Sequence, residues 1–158
     1  MKKFFAILMT LCLLCAACTA MADLEIPTFD SMPGVVLEDG DTTVDEAAFE
    51  GNWVLRVAFA GEEYVDEQTL AGTYGFNFMP YRITKGMILQ DLQDENGEFH
   101  TVEMPYTFEA GQLQGTDAEG RGFAVELLED GNIVMSTFYP GAGDEVICLS
   151  VFLVHPAE

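Results

Sequence analysis

Few side chains in this sequence could perform acid-base or nucleophilic chemistry. The two histidines, His100 and His155, do not have the spacing of a metal-binding histidine pair. Cys148 stands in an apolar run, where a buried and unreactive thiol is expected rather than a nucleophile. The sequence contains no nucleophile elbow, phosphate-binding loop or paired-cysteine motif. We therefore predict a protein that is not an enzyme and that uses no cofactor.

Carboxylates are abundant, and cation binding is the chemistry they could perform. Asp39, Asp41 and Asp45 resemble part of a calcium loop, because hard cations prefer several oxygen ligands. The glycine at position 40 is misplaced for such a loop, and the terminal bidentate glutamate is absent at the required spacing. Acidic turns explain this stretch, and also residues 91–98, more simply. We predict no metal site.

The charge of the chain restricts its partners. The sequence has 27 acidic and six basic residues, a formal net charge of -21. Such a charge repels phosphate backbones and anionic lipid surfaces, so we expect neither nucleic acid nor a charged membrane surface as a partner. It favours solubility, and a solvated acidic surface is its simplest explanation. The sequence identifies no protein partner.

Aromatic and apolar side chains form the candidate ligand site. We expect an apolar wall with a few polar tips that could orient a small hydrophobic ligand. The residues predicted to line it are Tyr74, Phe76, His100, Met104 and Tyr106. The same residues would serve equally well as plain core packing, and the sequence does not separate the two interpretations.

Short β-strands must position these candidates. Residues 49–61 alternate so that one face carries Trp53, Leu55, Val57 and Phe59. Residues 73–78 would place Tyr74 and Phe76 on one face of a strand, and residues 99–108 would do so for His100, Met104 and Tyr106. Two short helical stretches are predicted, one at residues 44–49 from the Thr43 to Glu46 capping spacing and one at residues 62–70.

The strand pattern predicts an all-β fold. Seven to nine short strands joined by tight turns, such as Asn96-Gly97 and Asp130-Gly131, indicate an antiparallel meander. Closing it into an up-and-down β-barrel of about eight strands removes its exposed edges. Residues 145–154 are apolar on both faces apart from Ser150, so we expect the extended N-terminal segment, residues 23–43, to cover the outer face of that last strand.

The pentapeptide Phe49-Glu50-Gly51-Asn52-Trp53 resembles the opening of the lipocalin superfamily, and of small lipocalin-like domains in secreted bacterial proteins. The resemblance implies a barrel domain over residues 44–158 whose floor contains Gly51 and Trp53. It also implies a cation stacked on the tryptophan. Residues 145–158 contain no Arg or Lys, so Arg121 or another strand would have to supply that cation.

The same resemblance implies the function. We expect a non-catalytic, extracytoplasmic protein that binds a small apolar or amphipathic ligand in the barrel calyx. An eight-stranded barrel either holds one small ligand or is filled by side chains. The alternative is therefore a protein-interaction or inhibitor domain with a solid barrel.

The N-terminus predicts export. Two lysines, an apolar run and Ala20-Met21-Ala22 indicate a signal peptide over residues 1–22, and hence a secreted protein. Residues 14–18 also resemble a bacterial lipobox, in which Cys18 would be lipidated and anchor the protein at the cell surface. No later segment is long and apolar enough for a membrane span. After the leader Cys148 stands alone, so no intramolecular disulfide is expected.

Overall fold

The structure is a computed structural model that describes residues 26–37, 44–94, 96–143 and 145–157. The predicted signal peptide, Cys18 and Thr43 lie outside the described residues. One α-helix, α1 (Glu67–Tyr74), and two 3-10 turns (Phe29–Ser31 and Glu46–Phe49) accompany nine strands in the described part. The strands are β1 (Gly51–Ala60), β2 (Glu63–Tyr64), β3 (Tyr81–Thr84), β4 (Met87–Gln93), β5 (Phe99–Glu109), β6 (Gln112–Thr116), β7 (Gly122–Leu127), β8 (Ile133–Pro140) and β9 (Val146–Val154).

Eight of these strands close an antiparallel barrel. Each strand from β3 to β9 pairs with the next, and β1 pairs with β3 on one side and β9 on the other. The two-residue strand β2 is an addition beside the end of β1. The predicted all-β, up-and-down barrel of about eight strands is confirmed. None of the helices in the described ranges is long and apolar enough to cross a membrane.

The predicted helical turn before the first strand is also confirmed, as the 3-10 turn Glu46–Phe49. Asp45 caps it, because its carboxylate accepts a hydrogen bond of 3.0 Å from the backbone N–H of Ala47. The turn ends in the fully buried Phe49 and delivers the chain to β1.

A β-bulge at Arg56 changes which side chains of β1 face the interior. The pairing of β1 with β9 skips this residue between Leu55 and Val57. Trp53 packs in the barrel core, whereas Val57 and Phe59 belong to a second cluster on the outside. The prediction of one inward face from Trp53 to Phe59 is therefore wrong in its second half, because a bulge inserts one residue and reverses the alternation.

The N-terminal arm, residues 26–37, covers this outer cluster. The ring of Phe29 packs edge-on against Phe59 and Phe152, with centroid distances of 5.5 and 6.4 Å. Backbone hydrogen bonds of 2.8 and 2.9 Å join the arm to the end of β7 and the turn after it. The predicted covering of the last strand is thus confirmed. The outer cluster consists of Val57, Phe59, Leu128, Val134 and Phe152, with Met32 packed against it.

The helix after β1 lies later in the chain than predicted. Asp66 caps the start of α1 by accepting a hydrogen bond of 2.9 Å from the backbone N–H of Thr69. Gly75, with a φ of 64°, ends the helix, and the next N–H bonds back to the carbonyl of Leu70. The prediction of a strand over residues 73–78 is wrong, because this helix and the loop after it occupy those positions.

The packing of the arm gives a first prediction. Phe29→Ala should lower the free energy of unfolding by about 1 to 2 kcal/mol, since Phe29 is only partly buried and a fully buried phenylalanine is worth roughly 3 to 5 kcal/mol. Urea denaturation monitored by tryptophan fluorescence measures the change. The matched control is Ile26→Ala, because Ile26 is mostly exposed on the same arm. Equal stability of the two variants would show that the arm does not cover the barrel.

Gly115 in β6 gives a second prediction. A Cβ atom here would lie 2.5 Å from the carbonyl oxygen of Pro105 and 2.6 Å from the ring of Phe123. Gly115→Ala should therefore lower the free energy of unfolding by about 1 to 3 kcal/mol through overpacking. Gly122→Ala is the control, because its nearest neighbour would be 3.9 Å away. The same denaturation experiment compares them, and a neutral Gly115→Ala would contradict this close approach.

Candidate ligand-binding site

The two ends of the barrel differ in how they are closed. In an up-and-down barrel successive turns alternate between the ends. The end next to the 3-10 turn Glu46–Phe49 is called the floor here, and the opposite end, with the β6–β7 turn and residues 75–80, is called the mouth. Phe49 and Trp53 are fully buried at the floor. These two rings therefore fill the floor end of the barrel.

Trp53 joins the floor turn to the barrel. Its indole N–H donates a hydrogen bond of 2.8 Å to the carbonyl of Phe49. The ring of His155 stacks on the indole, with a centroid distance of 3.8 Å and an interplanar angle of 28°. His155 also places its Nδ1 atom 3.1 Å from the carbonyl oxygen of Asn52. The C-terminal tail thus closes over the outside of the tryptophan.

Gly51 makes room for this stack. A Cβ atom at Gly51 would lie 3.1 Å from the Cε1 atom of His155, and the glycine has a φ of 145°. The lipocalin resemblance implied a cation on Trp53, with Arg121 as a source. The ring of His155 takes that position instead, and Arg121 lies at the mouth.

A cavity of about 120 Å³ lies inside the barrel at the mouth. Its volume suits a body about the size of one benzene ring. Its apolar lining comprises Leu92, Val102, Met104, Met135, Leu149 and Val151, and its aromatic lining comprises Tyr74, Phe76, Tyr81 and Tyr139. The barrel is therefore filled towards its floor and open over a small volume towards its mouth.

The structure brings three of the five predicted lining residues to this cavity. Tyr74 and Phe76 reach it from the end of α1 and the following loop rather than from a strand, and Met104 reaches it from β5. Tyr106 does not line the cavity. Its buried side chain points to the floor, where the hydroxyl lies 3.0 Å from the carbonyl oxygen of Thr84 and 3.1 Å from the Glu46 carboxylate.

His100 does not line the cavity either. It is exposed, as is its neighbour Phe99, at the start of β5. The sequence pattern places His100 on the same face as Met104, but the β4–β5 hairpin extends past the mouth, so this position meets solvent instead of the interior. Alternation predicts which face a side chain occupies, but not how deep it lies along the barrel.

Sequence reasoning missed the polar groups of the cavity. Tyr81 on β3 and Thr137 on β8 are both only 7% exposed and line it. The hydroxyl of Tyr81 contacts the side-chain amide of Gln90, its cross-strand neighbour. The Thr137 hydroxyl has no hydrogen-bond partner among the described residues, and no buried side-chain polar atom there is both unpaired and sealed from solvent. The Thr137 hydroxyl therefore opens onto the cavity. The inward alternation of β8 could have identified Thr137, since Ile133, Met135 and Tyr139 share its face.

Burial raises the pKa of Tyr81 above its ordinary value, so its hydroxyl keeps its proton and can donate a hydrogen bond. The side-chain amide of Gln90 contacts this hydroxyl and opposes the rise in pKa. Its Nε2 atom donates to the carbonyl oxygens of Asn77 and Met79, at 3.0 and 2.9 Å. These two bonds hold the mouth loop, residues 75–80, across the barrel end. The Tyr139 hydroxyl adds a third attachment by donating to the carbonyl of Tyr74 at 3.1 Å.

Arg121 is the cationic group of the cavity. Its Nε atom donates to the Asp117 carboxylate at 2.6 Å, and its NH2 nitrogen donates to the Glu119 carboxylate at 2.8 Å. The guanidinium carbon lies 4.5 Å from the centre of the Tyr139 ring, a cation-π contact. All four residues line the cavity, so its polar rim combines a cation, two carboxylates and hydroxyl groups.

Over the described ranges, no cluster of three or more His, Cys, Asp and Glu side chains is placed to hold a metal ion. Comparisons of the chain with protein-family models, with curated proteins and with solved structures give no match. The chemistry of the mouth cavity is therefore the basis for proposing a function.

The attachment of the mouth loop gives a third prediction. Gln90→Leu leaves the carbonyls of Asn77 and Met79 without their donor, and it should lower the free energy of unfolding by about 1 to 3 kcal/mol. Amide hydrogen exchange over residues 75–80 should become faster as well. The control is Gln93→Leu on the same strand, whose exposed amide donates to the Gly97 carbonyl in the β4–β5 turn. Unchanged exchange in Gln90→Leu would show that the amide does not hold the loop.

Proposed function

We propose that this protein is an extracytoplasmic, non-catalytic binding protein for a small apolar or amphipathic ligand. The ligand would lie in the mouth of a lipocalin-like barrel. The observation that carries the proposal is the cavity at the mouth, where an apolar wall meets the buried Tyr81 and Thr137, and where the Thr137 hydroxyl has no partner among the described residues. Buried polar groups in native proteins are almost always paired, so a ligand that exchanges a hydrogen bond with Thr137 would satisfy that group.

The cavity limits the ligand to a small size. Its apolar lining suits a ring or a short hydrocarbon chain, and its polar groups at Tyr81, Arg121 and Thr137 suit a polar head. A body of about one ring fills the available 120 Å³. A longer ligand would have to displace the mouth loop.

The closed eight-stranded barrel and its floor support the lipocalin-like assignment. The motif Gly51-x-Trp53 follows a short helical turn, as in the family that it resembles, and the tryptophan is buried where the barrel is closed. Extracytoplasmic location is proposed from the signal-peptide pattern of residues 1–22, with lipidation at Cys18 as its alternative.

A protein-interaction or inhibitor domain is the second candidate. The observation in its favour is that most of the barrel interior is packed with side chains, while Phe138 and Val146 are exposed on the outer face of the sheet. Exposed apolar side chains of this kind are typical of contact surfaces when they are contiguous.

A measurement of the mass of the native protein distinguishes the two candidate functions and gives the fourth prediction. Protein isolated from its own cells should show, under native conditions, a bound mass that is lost on denaturation. Val102→Phe should reduce that bound fraction at least tenfold, because the larger ring fills the cavity. Val146→Phe is the control, since Val146 is exposed outside the barrel.

No bound mass in the unmodified protein would favour the interaction domain. A bound mass that persists in Val102→Phe would place the ligand outside the mouth cavity and contradict the proposed site.

A further inference from the structure

We infer that the ligand of the mouth cavity carries a carboxylate, which binds Arg121 in exchange for the side chain of Glu119. This inference rests on the proposed function and specifies its ligand. It follows from the unequal attachment of the two carboxylates that now contact the guanidinium, and from the buried hydroxyls that line the same cavity.

Asp117 is a fixed partner of Arg121. Its side chain is 9% exposed, and its Oδ1 atom accepts the backbone N–H groups of Glu119 and Arg121, at 3.0 and 2.8 Å. Its Oδ2 atom accepts the guanidinium Nε at 2.6 Å. Because both of its carboxylate oxygens already accept hydrogen bonds, Asp117 orients the guanidinium and has little capacity to bind a ligand.

Glu119 is an exchangeable partner. Its side chain is 65% exposed, and its contact with the guanidinium is a single hydrogen bond of 2.8 Å from the NH2 nitrogen. Exposed ion pairs of this kind contribute little to stability, because water and salt compensate the charges when the pair separates. Glu119 can therefore leave for solvent when another carboxylate arrives.

The guanidinium can hold that carboxylate. It has five N–H donors, and the contacts to Asp117 and Glu119 use two of them. A carboxylate fits such a fork with two parallel hydrogen bonds. The hydroxyls of Thr137 and Tyr81, more than nine-tenths buried and open to the same cavity, supply further donors.

The alternative head group is a cation, which the acidity of the chain would attract at long range. Within the cavity, however, the face of Tyr139 is already covered by the guanidinium of Arg121, and both oxygens of Asp117 are engaged. A cationic ligand would lie beside the positive charge of Arg121 and would be repelled by it. A carboxylate that replaces Glu119 keeps two carboxylates in contact with the guanidinium, and the charge of the displaced Glu119 side chain is solvated.

Three ring-sized probes test the head group, because they differ in charge and share a body that fits the cavity. Isothermal titration of the full mature chain should show benzoate binding at least tenfold more tightly than benzamide, and benzylammonium more weakly than both. Glu119→Gln should strengthen benzoate binding about three- to tenfold and leave benzamide within twofold, because the internal competitor is removed.

Glu103→Gln is the matched control. Glu103 is an exposed carboxylate on the outer face of β5, so this variant changes the net charge equally without touching Arg121. It should leave benzoate binding within twofold. An equal gain in both variants would show that only net charge matters and would overturn the exchange with Glu119.

The remaining outcomes separate this inference from the proposed function. If benzamide or benzylammonium binds as tightly as benzoate, the carboxylate inference is wrong and a small-ligand site stands. If no probe binds, the inference is also wrong, and the native mass measurement decides on the binding function independently.

Discussion

The antiparallel pairing of β1 with β9 closes the barrel, and the other features of the molecule depend on it. Closure separates an inside from an outside and gives each of the eight strands a hydrogen-bonded neighbour on both sides. The pairing of β1 with β9 also contains the bulge at Arg56, which turns Val57 and Phe59 outward. Since two large side chains cannot remain exposed there without cost, the N-terminal arm becomes part of the fold rather than a tail.

The barrel is filled unevenly, and this asymmetry decides where a ligand could bind. At the floor, the large rings of Phe49 and Trp53 occupy the interior, and the ring of His155 covers the tryptophan from outside. At the mouth, smaller side chains such as Val102 and Thr137 leave a cavity, and the loop held by Gln90 crosses above it. The packed floor and the cavity at the mouth thus lie at opposite ends of the same strands.

At the mouth, a basic side chain is fixed beside the cavity although the chain as a whole is strongly acidic. Most carboxylates of the chain are solvated, whereas Asp117 is nearly buried and fully engaged in orienting Arg121. One of the few basic side chains is thus fixed beside an apolar cavity, over the ring of Tyr139. The exposed Glu119 completes the group and gives it an acidic partner that can be exchanged.

The sequence by itself determined the eight strands of the barrel and the turns at Gly97 and Gly131, because alternation and turn chemistry are local properties. The closed barrel and the cover over its last strand followed from the need to pair edges and to bury apolar faces. Only the tertiary structure decided the bulge at Arg56, which arises from pairing with a strand about a hundred residues away. The tertiary structure also decided how deep each side chain lies along the barrel. His100 and Met104 share a face of β5, but of these two only Met104 lies within the barrel. The place of a bulge and the depth of a side chain depend on how distant strands align, and the alternation within a single strand carries no information on either.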